Sequence, residues 1–139
     1  MSKAHENEAL IRRWFEEVWN QKRPDRIPEF MDADGIAHGM GPDVAPLRGP
    51  EAFRQAYDTF TGAFPDLHVT IEKCVATDDT VAVLLRCEAT HGGDHLGFPA
   101  TGKRVTFSVM TIARYQDGKI VEGWNVLDLL TAFRQMGVV

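Results

Sequence analysis

Between positions 7 and 20 the apolar residues are Leu10, Ile11, Trp14, Phe15, Val18 and Trp19. Spacing of i, i+1, i+4, i+5 gathers them into one wide stripe of an amphipathic helix, with Arg12, Arg13, Glu16 and Glu17 opposite. Asn7 is the expected N-cap. Pro24 is placed to open a second short helix reaching about Met31, and Pro28 inside it argues against a regular one. Gly35 to Met40 then reads as a short extended piece carrying His38, and GPDVAPLRGP follows as a loop rich in glycine and proline. Gly49-Pro50-Glu51 is a strong helix start. That third helix carries Phe53, Ala56, Tyr57, Phe60, Ala63 and Phe64 on one face, and Pro65-Asp66 stops it.

From Leu67 the period changes to two. Leu67, Val69 and Ile71 alternate with His68, Thr70 and Glu72, and a turn falls at Asp78-Asp79. Thr80 to Thr90 reads as a long central strand. Lys103 to Tyr115 follows, then the hairpin turn Asp117-Gly118, then a strand from Lys119 to Asp128. Leu129 to Met136 can form a last short helix stopped by Gly137. Helices followed by an antiparallel meander of four strands predict an α+β domain spanning residues 1–139. A twisted sheet curling over a long helix would leave a concave cavity between the two layers.

Composition narrows the function classes. A chain of 139 residues can bury one core without disulfides or metal, and its formal charge of −5 opposes a nucleic-acid partner. The N-terminal MSKAHENEAL is polar and no apolar run approaches ~20 residues, so a membrane role is not expected and a cytoplasmic location is. Cys74 and Cys87 fall in apolar strands, where thiols act mostly as small core fillers. His38, His68, His91 and His95 are too scattered for a metal site, and Gly92-Gly93 rules out a helical His91/His95 pair. The Gly97–Gly102 loop lacks phosphate-loop spacing, and no Ser or Cys sits in a nucleophile elbow.

The polar group with the clearest potential chemistry is Asp128, between Leu127 and Leu129 at the end of an apolar strand. Alternation puts Trp124, Val126 and Asp128 on one face. Facing a cavity, that carboxyl would be desolvated and its pKa raised into a range useful for acid/base work. The structural alternative is that Asp128 caps the helix beginning at Leu129. Asn125 would reach the cavity only if the opposite face turns inward. Trp14, Phe15, Trp19, Phe60, Phe64, Met110, Trp124 and Asn125 are the candidate ligand-contacting residues.

The segments NEALIRRWFEEVWNQ, GPEAFRQAYDTFTGAFPDLHVTIE, THGGDHLGFPATGKRV and ARYQDGKIVEGWNVLD together resemble the SnoaL-like polyketide cyclases (ester cyclases). That family lies within the superfamily of ketosteroid isomerase, scytalone dehydratase and nuclear transport factor 2. The resemblance implies a cone-shaped curved antiparallel sheet wrapped around N-terminal helices. It also implies intramolecular aldol ring closure of a polyketide-derived carbonyl compound without metal or organic cofactor. Asp128 takes the place of the family's acid/base, and His91 and His38 match recurrent histidines. The chain departs from the pattern at Gly123, where many relatives carry His. The partners implied are a small apolar or aromatic carbonyl-containing ligand and a second copy of the chain, docked through the outer sheet face. The same scaffold also hosts hydratases, dehydratases, epoxide hydrolases and non-catalytic binding or dimerisation domains.

Overall fold

A computed structural model describes residues 2–139. Helix α1 (Lys3–Arg13) continues directly into a π-helix (Trp14–Asn20). A 3₁₀ turn (Pro24–Arg26) and α2 (Ile27–Phe30) lead into strand β1 (Met31–His38). A two-residue strand β2 (Leu47–Arg48) precedes helix α3 (Gly49–Ala63). The meander is β3 (His68–Ala76), β4 (Thr80–Thr90), β5 (Arg104–Gln116) and β6 (Lys119–Leu127), and α4 (Leu129–Met136) closes the chain.

The helices arise where the apolar periodicity places them, with two local differences. Helix α1 starts earlier than the Asn7 cap implies, because the Ser2 hydroxyl accepts from the His5 N–H and caps it. Asn7 is buried inside the helix and donates to the carbonyls of Thr77 and Asp78, tying α1 to the β3–β4 turn. The second difference is the π-helix. Its i→i+5 bonding brings residues five apart onto one face, so Trp14 and Trp19 both turn inward beside Phe15 and Val18. The Tyr57 hydroxyl donates to the Val18 carbonyl at 3.0 Å, and the Asn20 amide pairs with both backbone groups of Val69.

The sheet has six strands in the order β2-β1-β6-β5-β4-β3. The meander β3 to β6 is antiparallel throughout, but β1 pairs parallel with β6. The sheet is therefore mixed, not purely antiparallel, because β1 is delivered to the β6 edge from the helical layer. It curves without closing. Its inner face carries Val81, Val83, Leu85, Cys87, Val105, Phe107 and Val109, packed on the helical layer, and the core lies between them. The α+β cone read from the sequence is the fold observed.

The phase of β6 is set by a bulge. Arg114 pairs with Glu122 and Tyr115 with Ile120, which leaves Val121 as the extra residue. Counting by twos from buried Ile120 would carry Trp124, Val126 and Asp128 inward. The added residue reverses that, and Gly123, Asn125 and Leu127 face the interior instead.

Candidate functional site

The interior of the cone holds a cavity whose empty volume, counted out to its open mouth, is about 880 Å³. Its walls are Ile11, Trp14, Phe15 and Trp19 from the first helical segment, and Phe53, Phe60 and Phe64 from α3. Met31, Ile36, Ala37 and Met40 close one side, while Val69, Leu85, Cys87, Phe107, Val109 and Ala113 form the floor. Thr111, Asn125, Gly123, Ile120 and Leu127 complete it at the β5–β6 end. Trp14 is braced by Phe53 and Phe30, and Trp19 by Tyr57 and Phe53, in tilted and edge-on contacts. Such an aromatic box is stiff and mostly apolar, as small-molecule pockets are.

Polar chemistry enters the cavity at one place. The Thr111 hydroxyl donates to Asn125 Oδ1 at 2.8 Å, and Asn125 Nδ2 donates to the His38 carbonyl at 2.9 Å. Thr111 is buried although it is polar. It was missed in the sequence, where its signal was available. It falls in step with Val105, Phe107, Val109 and Ala113 on the inward alternation of β5. The Cys87 thiol also touches the cavity, but burial pushes its pKa up to about 12, which keeps it protonated and inert.

Six of the residues singled out in the sequence, Trp14, Phe15, Trp19, Phe60, Phe64 and Asn125, stand on the cavity wall. Met110 and Trp124 do not. They lie on the outer face of the sheet with Ile112 and Val126, and Trp124 is 40% and Val126 71% exposed.

Asp128 also lies outside the cavity, against the expectation of a buried carboxyl with a raised pKa. It is exposed and caps α4, its two oxygens accepting from the Thr131 hydroxyl at 2.6 Å and the Thr131 N–H at 3.2 Å. These bonds hold its carboxyl below the ordinary value, the hydroxyl contributing most. The bulge at Val121 is the physical reason that the whole Trp124–Asp128 face points away from the interior.

The two histidines are likewise placed elsewhere. His38 sends its ring to the outer face, where Nε2 meets Glu122 at 2.8 Å and the ring stacks on Trp124 at 5.7 Å between centroids. That bond from His38, reinforced by nearby Arg114, holds the Glu122 carboxyl below its usual range. Only the His38 backbone carbonyl reaches the cavity residues. His91 is fully buried beneath the Gly92–Gly102 loop, and its Nδ1 accepts from the Thr101 N–H at 3.1 Å. That contact puts the ring proton on Nε2, which finds no acceptor among the described residues, and the ring centroid lies 6.0 Å from that of Phe64. Backbone bonds from His91 to Lys103 and from Gly102 to His91 complete a knot that ties the loop down. Among the described residues no group of three His, Cys, Asp or Glu side chains gathers into a metal-binding cluster. Nor is any helix long and apolar enough to cross a membrane.

A curved sheet holding an aromatic-lined cavity against helices defines a class of small α+β proteins. Within that class, the profile of the SnoaL-like polyketide cyclases matches residues 9–136, and the chain belongs to that family. It is similar to the aklanonic acid methyl ester cyclase DnrD of Streptomyces peucetius, at 31% identity over 92% of this chain and 88% of that one. The corresponding cyclase DauD of Streptomyces sp. (strain C5) is also 31% identical, over 92% of this chain and 80% of its own. Among solved structures, one described as a SnoaL-like polyketide cyclase from Jannaschia sp. CCS1 superposes with a TM-score of 0.90. That likeness covers 100% of this chain and 96% of the other at 23% identity, and speaks to the fold.

Proposed function

We propose that this chain binds a polyketide-derived aromatic carbonyl compound in the inner cavity and promotes its ring closure by intramolecular aldol addition. One observation carries the reading. The family's fold here encloses an aromatic, mostly apolar cavity with a single polar pair, Thr111 and Asn125, at one end. In the reaction, a carbon flanked by carbonyls gives a proton to water at the open mouth of the cavity. That carbon attacks a ketone carbon of the same molecule, whose oxygen takes a proton back from that water. A carbon–carbon bond forms. The conjugated substrate delocalises the intermediate enolate. The protein's part is to fold the reacting arms together and to hold a carbonyl by hydrogen bonding. Asp128 is assigned to the support of α4 in this proposal.

A second reading, a ligand-binding domain without turnover, is favoured by the lining itself. It contains no carboxylate and no imidazole side chain. The test is to incubate the protein with an anthraquinone β-keto methyl ester, without added cofactor, and follow binding by tryptophan fluorescence and ring closure by chromatography. Turnover above the protein-free rate supports the cyclase reading. Saturable binding without turnover supports the second. No binding at all contradicts both.

We further propose that a second copy covers the outer sheet face. Met110, Ile112, Trp124 and Val126 form an exposed apolar strip there, and a two-fold pairing of the strip with itself would remove it from water.

A further inference from the structure

The hydrogen bonds at the polar end of the cavity leave one group open. A backbone carbonyl can only accept, so the Asn125 atom 2.9 Å from the His38 oxygen is Nδ2. Oδ1 is therefore the atom beside Thr111, and the hydroxyl of Thr111 is the donor in that 2.8 Å contact. Turning the amide over would set Oδ1 against the His38 oxygen, acceptor against acceptor. The amide is thus locked in one orientation. An amide nitrogen carries two N–H groups, and the second has no acceptor among the described residues. Thr111 has given its only proton and retains lone pairs.

The lock is built into the backbone. Strand β1 runs beside β6, and Gly39 brings the chain so close that a Cβ there would lie 1.9 Å from the Asn125 carbonyl oxygen. The His38 carbonyl therefore cannot drift from the amide it holds.

We propose that Asn125 is the specificity-determining residue of the cavity: its remaining Nδ2–H receives a carbonyl oxygen of an otherwise apolar aromatic ligand. This rests on the reading of the cavity as the ligand site and deepens it by assigning the ligand's acceptor to one atom. The Thr111 oxygen can accept from a hydroxyl placed next to that carbonyl. A ligand of equal shape without an acceptor oxygen leaves the N–H unpaired in an apolar wall, and that loss is what the site discriminates against.

The experiment compares two near-isosteric probes, 2-acetylnaphthalene and 2-isopropylnaphthalene, titrated against the full chain and against Asn125→Leu and Thr111→Val. The ratio of the two dissociation constants is the readout. Asn125→Leu is expected to shift that ratio about tenfold against the ketone while the hydrocarbon affinity changes less than about twofold. Thr111→Val keeps the Nδ2–H but removes the donor to Oδ1, so the ketone preference should fall by less than in Asn125→Leu. An unchanged ratio in Asn125→Leu overturns the proposal while leaving the cavity reading intact. Failure of both probes to bind the wild type overturns both. Infrared spectroscopy of the labelled ketone bound to the wild type gives a reading that needs no variant. A carbonyl stretch lowered from its value in cyclohexane is expected, and an unshifted one overturns the assignment.

Discussion

Asn125 and Asp128 lie at the same end of β6 and serve different ends. The amide faces the cavity, while the carboxylate holds the first turn of α4 by accepting from Thr131. Because Thr131 depresses the Asp128 pKa, this contribution is complete above the ordinary carboxylate range and is lost as pH falls through the lowered folded value. Asp128→Ala should therefore lower the Tm at neutral pH, and the gap from wild type should narrow in melts taken toward pH 3. Both possible roles of Asp128 were legible in the sequence, but the choice between them was not. Trp124, Val126 and Asp128 do share a face as alternation requires, yet β6 is apolar on both faces, so the period of two cannot say which one is inside. Glycine 39 and Gly123 supply a second contrast. Gly39→Ala should disrupt folding severely, since its Cβ would meet the Asn125 carbonyl oxygen at 1.9 Å from a backbone with φ of +76°. Gly123→Ala should be tolerated, because the nearest neighbour of its Cβ is the Ile112 carbonyl oxygen at 3.8 Å. Thermal melts of the two variants check both.

Single elements give the cavity its shape. The π-helix was read as ordinary helix, since its stripe of Leu10 to Trp19 fits either winding and only packing against α3 and β3 selects the wider one. Tyr57→Phe removes the hydroxyl bond to Val18 and should cost about 1 kcal/mol in denaturant melts. A result near zero would mean the π-helix holds without it. The bulge at Val121 was equally silent in the sequence, being one Val among several. Deleting Val121 would join the pairs Tyr115–Ile120 and Arg114–Glu122 into one regular ladder with Asn125 still inward, so such a chain should keep cooperative unfolding in denaturant melts. The loop after β4 shows the opposite case. His91 before Gly92-Gly93 was legible as a loop tie as readily as a ligand contact, and the Thr101 N–H donates to its Nδ1 across the loop. His91→Ala should raise proteolytic cleavage between Gly92 and Lys103 well above wild type.

On the scale of the whole molecule the reading from sequence was closest. The order of the main helices and of the four meander strands follows from local periodicity and turn residues. The parallel pairing of β1 with β6 joins segments some ninety positions apart, a contact that no local pattern encodes. That pairing also brings the His38 carbonyl to Asn125, so the bond that fixes the amide was beyond reach for the same reason. The outer strip of Met110, Ile112, Trp124 and Val126 bears on assembly. Ile112→Lys combined with Trp124→Lys should convert a dimer to a monomer in sedimentation velocity, and an unchanged species would show that the face is not the interface. Under the proposed function, ligand chemistry belongs to the inner cavity and not to the Asp128 face. Ring closure of the anthraquinone β-keto methyl ester by wild type, Asp128→Asn and Gly123→Leu tests it most directly. Turnover by Asp128→Asn is expected within about threefold of wild type, with a loss of ~10² or more in Gly123→Leu, whose side chain would fill the cavity. Loss in Asp128→Asn with full activity in Gly123→Leu would contradict it.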